Sequence, residues 1–159
     1  MTAPERSTIE SLAATPQRLG ALLAEFGPVA LRTRPTGTFE GVEVLSPVGH
    51  ARHLGDIEIE GYHERIRRIR FERVALLPSL PGDQMAIDRA YERADVARAL
   101  ETFAAARRAT LATLAEVAPD EWQRTGEFEG YGTVSLRRLI EILADHDRVH
   151  LEALATLPR

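Results

Sequence analysis

Cysteine is absent from the 159 residues, which excludes disulfides, thiolate metal sites and cysteine nucleophiles together. A chain without disulfides fits a reducing cytoplasm. No uncharged apolar run approaches the roughly 18 to 20 residues that a transmembrane helix needs. The first residues, Met1-Thr-Ala-Pro-Glu-Arg-Ser7, lack the basic-then-apolar order of a secretory leader. A cytoplasmic location, away from membranes, is the expectation. Positive charge is in deficit as well: the formal net charge is −4, which argues against nucleic acid as a partner. The Gly-x-Ser-x-Gly elbow, the Walker A loop and the Gly-x-Gly-x-x-Gly fingerprint are all missing, so the enzyme classes built on them have no support. Strand-like alternation is nearly absent, and so are internal repeats and heptads.

What remains is ordinary for a soluble fold, with 44% hydrophobic and 28% charged residues. The length suits one domain, residues 1–159, able to bury its apolar surface without staples. Four long helical patterns stand out. The first runs from about Ile9 to Phe26, capped by Ser7 or Thr8 and stopped at Gly27-Pro28; Pro16 allows a start near Thr15 instead. The second starts at Ser46-Pro47 and runs to about Leu76, before Pro78, with a core stripe of Val48, Ala51, Leu54, Ile57, Tyr62, Ile66 and Ile69. A short helix around Met85–Tyr91 precedes the third, about Asp95 to Val117. There Val96, Leu100, Phe103, Leu111 and Leu114 face inward. Pro119 to Trp122 reads as one extra turn anchored by the tryptophan. The fourth helix is capped by Thr133 or Ser135 and reaches Leu157. The expected architecture is all-α, a four-helix bundle with connections long enough to build a site at one end.

The last helix carries the chemistry. Its apolar stripe, Leu136, Leu139, Ile140, Leu143, continues through His146 and His150 to Ala153, Leu154 and Leu157. Residues four apart on a helix are rotated by only about 40°, so both imidazoles leave the same face. Such a pair suits a transition metal; it equally describes two core histidines bonded to their neighbours. A third ligand would decide. His50 and His53 share a side of the second helix with Ile57, whereas His63 lies among charged residues and reads as a surface histidine. Three facing histidines with open positions describe a catalytic rather than a structural ion site. The cluster Arg65, Arg67, Arg68, Arg70 and Arg73 has Glu58, Glu60, Glu64 and Glu72 beside it and reads as a solvated, salt-bridged helix face.

Three segments carry a resemblance. His53-Leu-Gly-Asp-Ile-Glu58 resembles the second-helix signature of DinB/YfiT-like proteins. Gly132 to His150, ending in His-x-x-x-His, is similar to that family's last helix, and Pro119-Asp-Glu-Trp-Gln-Arg-Thr-Gly126 to its Pro-x-x-Trp turn. The resemblance implies a four-helix bundle of DinB type, usually a homodimer, holding a divalent metal on three histidines. The matching residues are His53, His146 and His150, with His50 in reserve. Zn or Ni would be the first expectation, Fe or Mn the next. The family's enzymes include thiol-dependent transferases, so a metal-dependent transferase moving a low-molecular-weight thiol onto a small electrophile is the expected activity, with a metal-dependent hydrolase as the other enzyme class. Any such thiol must arrive as a co-substrate. The alternative is a non-catalytic metal- or small-molecule-binding module of the stress response. Asp56 is the expected hydrogen-bond partner of His53. Glu58 is a candidate base or an ion-pair partner, and Tyr62 a candidate oxyanion donor or a core residue.

Overall fold

The computed structural model describes residues 2–40 and 42–159. Helix α1 spans Ala3–Leu23; its capping residue is Thr2, whose hydroxyl accepts from the Glu5 amide while the Glu5 carboxylate takes the Thr2 amide. The helix thus starts earlier than the Ser7 or Thr8 cap expected from sequence, and Pro16 lies inside it. A two-residue hairpin, β1 (Thr38–Phe39) with β2 (Val42–Glu43), follows. Helix α2 (Pro47–Ile57) is capped by Ser46, which accepts from the Gly49 amide at 3.2 Å. It passes through a π turn (Glu58–Tyr62) into α3 (His63–Phe71). The short α4 (Gly82–Asp88), the long α5 (Val96–Ala115) and α6 (Leu136–Thr156) complete the helices. Asp95 and Ser135 cap the last two through the amides of Arg98 and Arg138. Each such cap contributes on the order of 1 kcal/mol.

The bundle is a four-helix one, with the α2–π–α3 rod as its second member. The π turn accommodates one extra residue, which is why the expected stripe steps by five between Ile57 and Tyr62 and still stays inside. All seven of its residues are buried.

The structure corrects the near-absence of strands. Glu72 turns extended, and β3 (Ala75–Leu77) lies parallel to β4 (Thr125–Phe128), which pairs antiparallel with β5 (Gly132–Ser135). The second helix therefore ends at Phe71, not Leu76. Ala75, Leu77, Gly126, Phe128 and Val134 point inward while their neighbours face outward. Alternation over three or four residues is too short to register as a pattern.

The apolar interior falls into two clusters. One gathers Leu12, Ile66, Leu77, Leu114, Trp122, Phe128, Leu136 and Ile140 at the sheet end. The other gathers Leu19, Leu23, Leu54, Phe103, Leu151 and Leu154. Between them runs a layer of buried polar side chains: Thr15 on α1, Glu58 on the π turn, Arg107 and Thr110 on α5, Asp147 on α6. Among the described residues no helix is long and apolar enough to cross a membrane.

Candidate metal centre

Helices α2 and α6 pack against each other, and the contact is lined with imidazole. One ring nitrogen from each of His53, His146 and His150 falls within 4.8 Å of the other two. Nε2 of His53 and Nε2 of His146 are 3.2 Å apart. Nitrogens sharing a tetrahedral ion at 2.0–2.1 Å stand about 3.3 Å from each other. The donor set therefore suits a first-row divalent cation: neutral imidazoles, no thiolate, three ligands with room for more. His53 and His150 are buried and His146 half-buried, on a cleft of about 350 Å³ whose walls include Tyr62, Arg65, Leu80, Asp83, Phe128 and Tyr131.

Burial depresses the proton affinity of all these rings. His53 is held near 4, its desolvation only partly offset by Asp83 and Asp56. His50 falls to about 3, again through desolvation, with His53 adding to it. His146 and His150 lie well below 6.5 for the same reason, helped by their imidazole neighbours. At neutral pH all four are uncharged and present lone pairs. Nδ1 of His53 and Nδ1 of His146 are buried without a hydrogen-bond partner, a cost that stable interiors rarely leave unanswered.

His50 is not one of the convergent three. Its Nδ1 lies 2.9 Å from Nδ1 of His150, so it braces that ring from behind. Asp56, expected behind His53, is elsewhere: it accepts from Arg52, Arg89 and the Tyr91 hydroxyl. Tyr91 in turn packs edge-on at 6.4 Å from His53. His63 is half-buried rather than a surface residue, its Nε2 3.1 Å from both the Ala106 carbonyl and the Thr110 hydroxyl.

The two candidate catalytic residues separate. Tyr62 lines the cleft, its ring 6.3 Å from that of His146. Desolvation pushes its hydroxyl well above the usual 10, leaving a donor and not a base. Glu58 is instead consumed by the polar layer. Arg107 donates to it through Nε and Nη2 at 2.7–3.0 Å, and Thr110 at 2.6 Å. The same guanidinium reaches Asp147 at 2.6 and 3.1 Å, and the Leu12 carbonyl at 2.8 Å.

That last contact explains Pro16. Proline has no N–H, so the carbonyl four residues earlier, on Leu12, loses its helical partner; Arg107 supplies the replacement. One cation thus ties α1, the π turn and α6 to α5, one residue from His146. Sequence reading overlooked Arg107. Its signal was an arginine in line with Phe103, Thr110 and Leu114 on the inward face of α5. The carboxylates on the cleft wall are Asp83 and Asp145, the latter paired with Arg148 at 2.9 Å.

The sequence profile of the DinB superfamily matches residues 9–154. The chain belongs to the DinB superfamily. No curated protein matches it by sequence. Among solved structures it is similar to YfiT from Bacillus subtilis, at a TM-score of 0.81 and 14% identity, covering 98% of this chain and 86% of that one. YfiT is described as "a probable metal-dependent hydrolase with an unusual four-helix bundle topology". At that identity the likeness establishes the DinB fold and leaves the chemistry to be argued from the site.

Proposed function

We propose that this DinB protein is a divalent-metal-dependent enzyme acting on a small molecule, with His53, His146 and His150 as ligands. The observation that carries the reading is the convergence of three uncharged imidazole nitrogens within 4.8 Å, from two buried histidines and a half-buried one, on the wall of a cleft. A bound ion supplies Lewis acidity and brings a coordinated water or thiol into the neutral pKa range.

The protein's own groups do the rest. His50 holds the His150 ring through Nδ1, leaving Nε2 as the ligand atom. The protonated Tyr62 hydroxyl serves as a donor toward developing negative charge. Phe128, Leu80 and Tyr62 supply the apolar part of the cleft wall. Hydrolysis is the simplest use of such a centre, in keeping with the description of YfiT. The finer alternative is a transferase that moves a low-molecular-weight thiol onto an electrophile; with no cysteine in the chain, the thiol is a co-substrate. Zn or Ni is the preferred ion, and a cytoplasmic homodimer the preferred form.

The test is elemental analysis of purified protein, followed by ester, amide and thiol–electrophile panels with and without metal. The reading expects about one ion per chain and turnover that disappears in His150→Ala. Protein that takes up no ion after incubation with Zn or Ni would overturn it, and stoichiometric metal without any turnover would leave a binding module.

A further inference from the structure

The cleft that holds the imidazoles also holds a cation with nothing anionic beside it. Arg65 is 5% exposed. Its Nε and Nη2 donate to one carbonyl, that of Pro78, at 3.3 and 3.0 Å. Its guanidinium lies 4.6 Å from the centre of the Phe128 ring and 5.0 Å from that of Tyr62. The other buried charged groups are matched: Glu58 and Asp147 with Arg107, Asp56 with Arg89, Glu5 with Arg137. Among the described residues no carboxylate stands within ion-pair distance of Arg65. The remaining helix-face arginines, Arg67 and Arg68, share Glu64, so Arg65 departs from the solvated cluster in which the sequence placed it.

Two further features say that this arrangement is built. Gly61, in the π turn, leaves room for the guanidinium: a Cβ there would stand 2.8 Å from Nη1, the nitrogen that Pro78 does not take. The cleft is about 350 Å³, the scale of a small-molecule site. A buried cation without a counter-charge is costly to keep, and its planar fork suits a carboxylate or phosphate in two-point contact. Of the carboxylates on the cleft wall, Asp145 is held by Arg148, and Asp83 follows Gly82, whose added Cβ would meet His53 Cε1.

We propose that Arg65 is an anion subsite, and that the substrate is a small oxyanion-bearing molecule whose carboxylate or phosphate it binds while the reacting group faces the three histidines. This rests on the metal-enzyme reading above. The guanidinium then fixes which end of the substrate enters first, with Phe128 and Tyr62 flanking the chain between the two ends.

The test uses Zn-loaded protein and three hydroxamates of similar length, ending in a carboxylate, a phosphonate or a neutral amide, titrated calorimetrically. An anionic tail should bind about tenfold to a hundredfold more tightly than the amide, and the better anion distinguishes carboxylate from phosphate. Arg65→Gln should erase the preference while amide affinity stays within about twofold. If that variant does not fold, Arg65→Lys should retain a reduced preference. Equal affinities in wild type, or a preference that survives Arg65→Gln, overturn the proposal. Protein that loads no ion and binds no hydroxamate removes the metal reading instead. Glutarate titrated into the metal-free protein by NMR then decides the subsite alone: binding lost in Arg65→Gln upholds it, and no binding or equal binding refutes it.

Discussion

Arg107→Met removes the one cation of the buried polar layer and keeps only the aliphatic part of the side chain, ending where the guanidinium begins. Glu58 and Asp147 are then left facing each other with side chains only 1% and 3% exposed, and the Leu12 carbonyl loses its partner across from Pro16. Breaking a buried pair from one side costs about 3–5 kcal/mol, a large part of a stability of about 5–15 kcal/mol. For a chain of this size that is a fall in melting temperature of about 6 to 20 °C. Thermal and urea melts followed by circular dichroism read it directly. Burial already raises the Asp147 carboxyl, with Arg107 opposing that rise. Without the guanidinium, proton uptake by the folded state relieves the strain, so the deficit should shrink as pH falls from 8 towards 5. Adding Glu58→Gln and Asp147→Asn to Arg107→Met should recover most of the loss. A deficit under about 1 kcal/mol, or a triple variant no better than the single one, would refute the view of this layer as a dry ionic clasp.

Two other outcomes follow from the same geometry. His50→Ala should weaken metal binding about tenfold to a hundredfold with helicity unchanged, because His50 braces His150 without converging on the site; equal affinity in wild type and variant would remove that role. Metal-free protein should lose stability in acid. With His50 and His53 held near 3 and 4 and ordinary values of about 6.5 in the unfolded chain, the unfolded state binds more protons below that point. Stability is then complete above about pH 6.5 and declines as pH falls, by about 1.4 kcal/mol per unit for each buried ring. Urea melts of chelator-treated protein at pH 7.5, 6 and 5 check this, and a flat profile contradicts it.

Much of the fold was legible because helical stripes are long. Leu136 to Leu154 and Val48 to Ile69 each repeat often enough to reveal their inward face, and the caps Ser46, Asp95 and Ser135 stand where side-chain chemistry puts them. Pro16 misled, because proline inside a helix is tolerated only when another group takes the orphaned carbonyl. That group is Arg107, 95 residues away along the chain. The strands were hidden for the opposite reason: three or four residues alternate too briefly to show, and β3 owes its form to pairing with β4. The three convergent histidines followed from spacing and from the family resemblance together. Their surroundings did not. Asp56 could have turned to His53 or to Tyr91, Arg65 to solvent or to the cleft, and only packing chooses between such neighbours. The burial of Arg107 likewise depends on Glu58 and Asp147, which come from other elements and which no local pattern displays.

The central claim is that His53, His146 and His150 together bind one divalent cation. X-ray absorption on Zn-loaded protein, wild type beside His53→Ala, tests it most directly. The expected result is a first shell containing three imidazole nitrogens at about 2.0–2.1 Å, falling to two in the variant. A shell with no imidazole scattering, or one unchanged by losing His53, would contradict it.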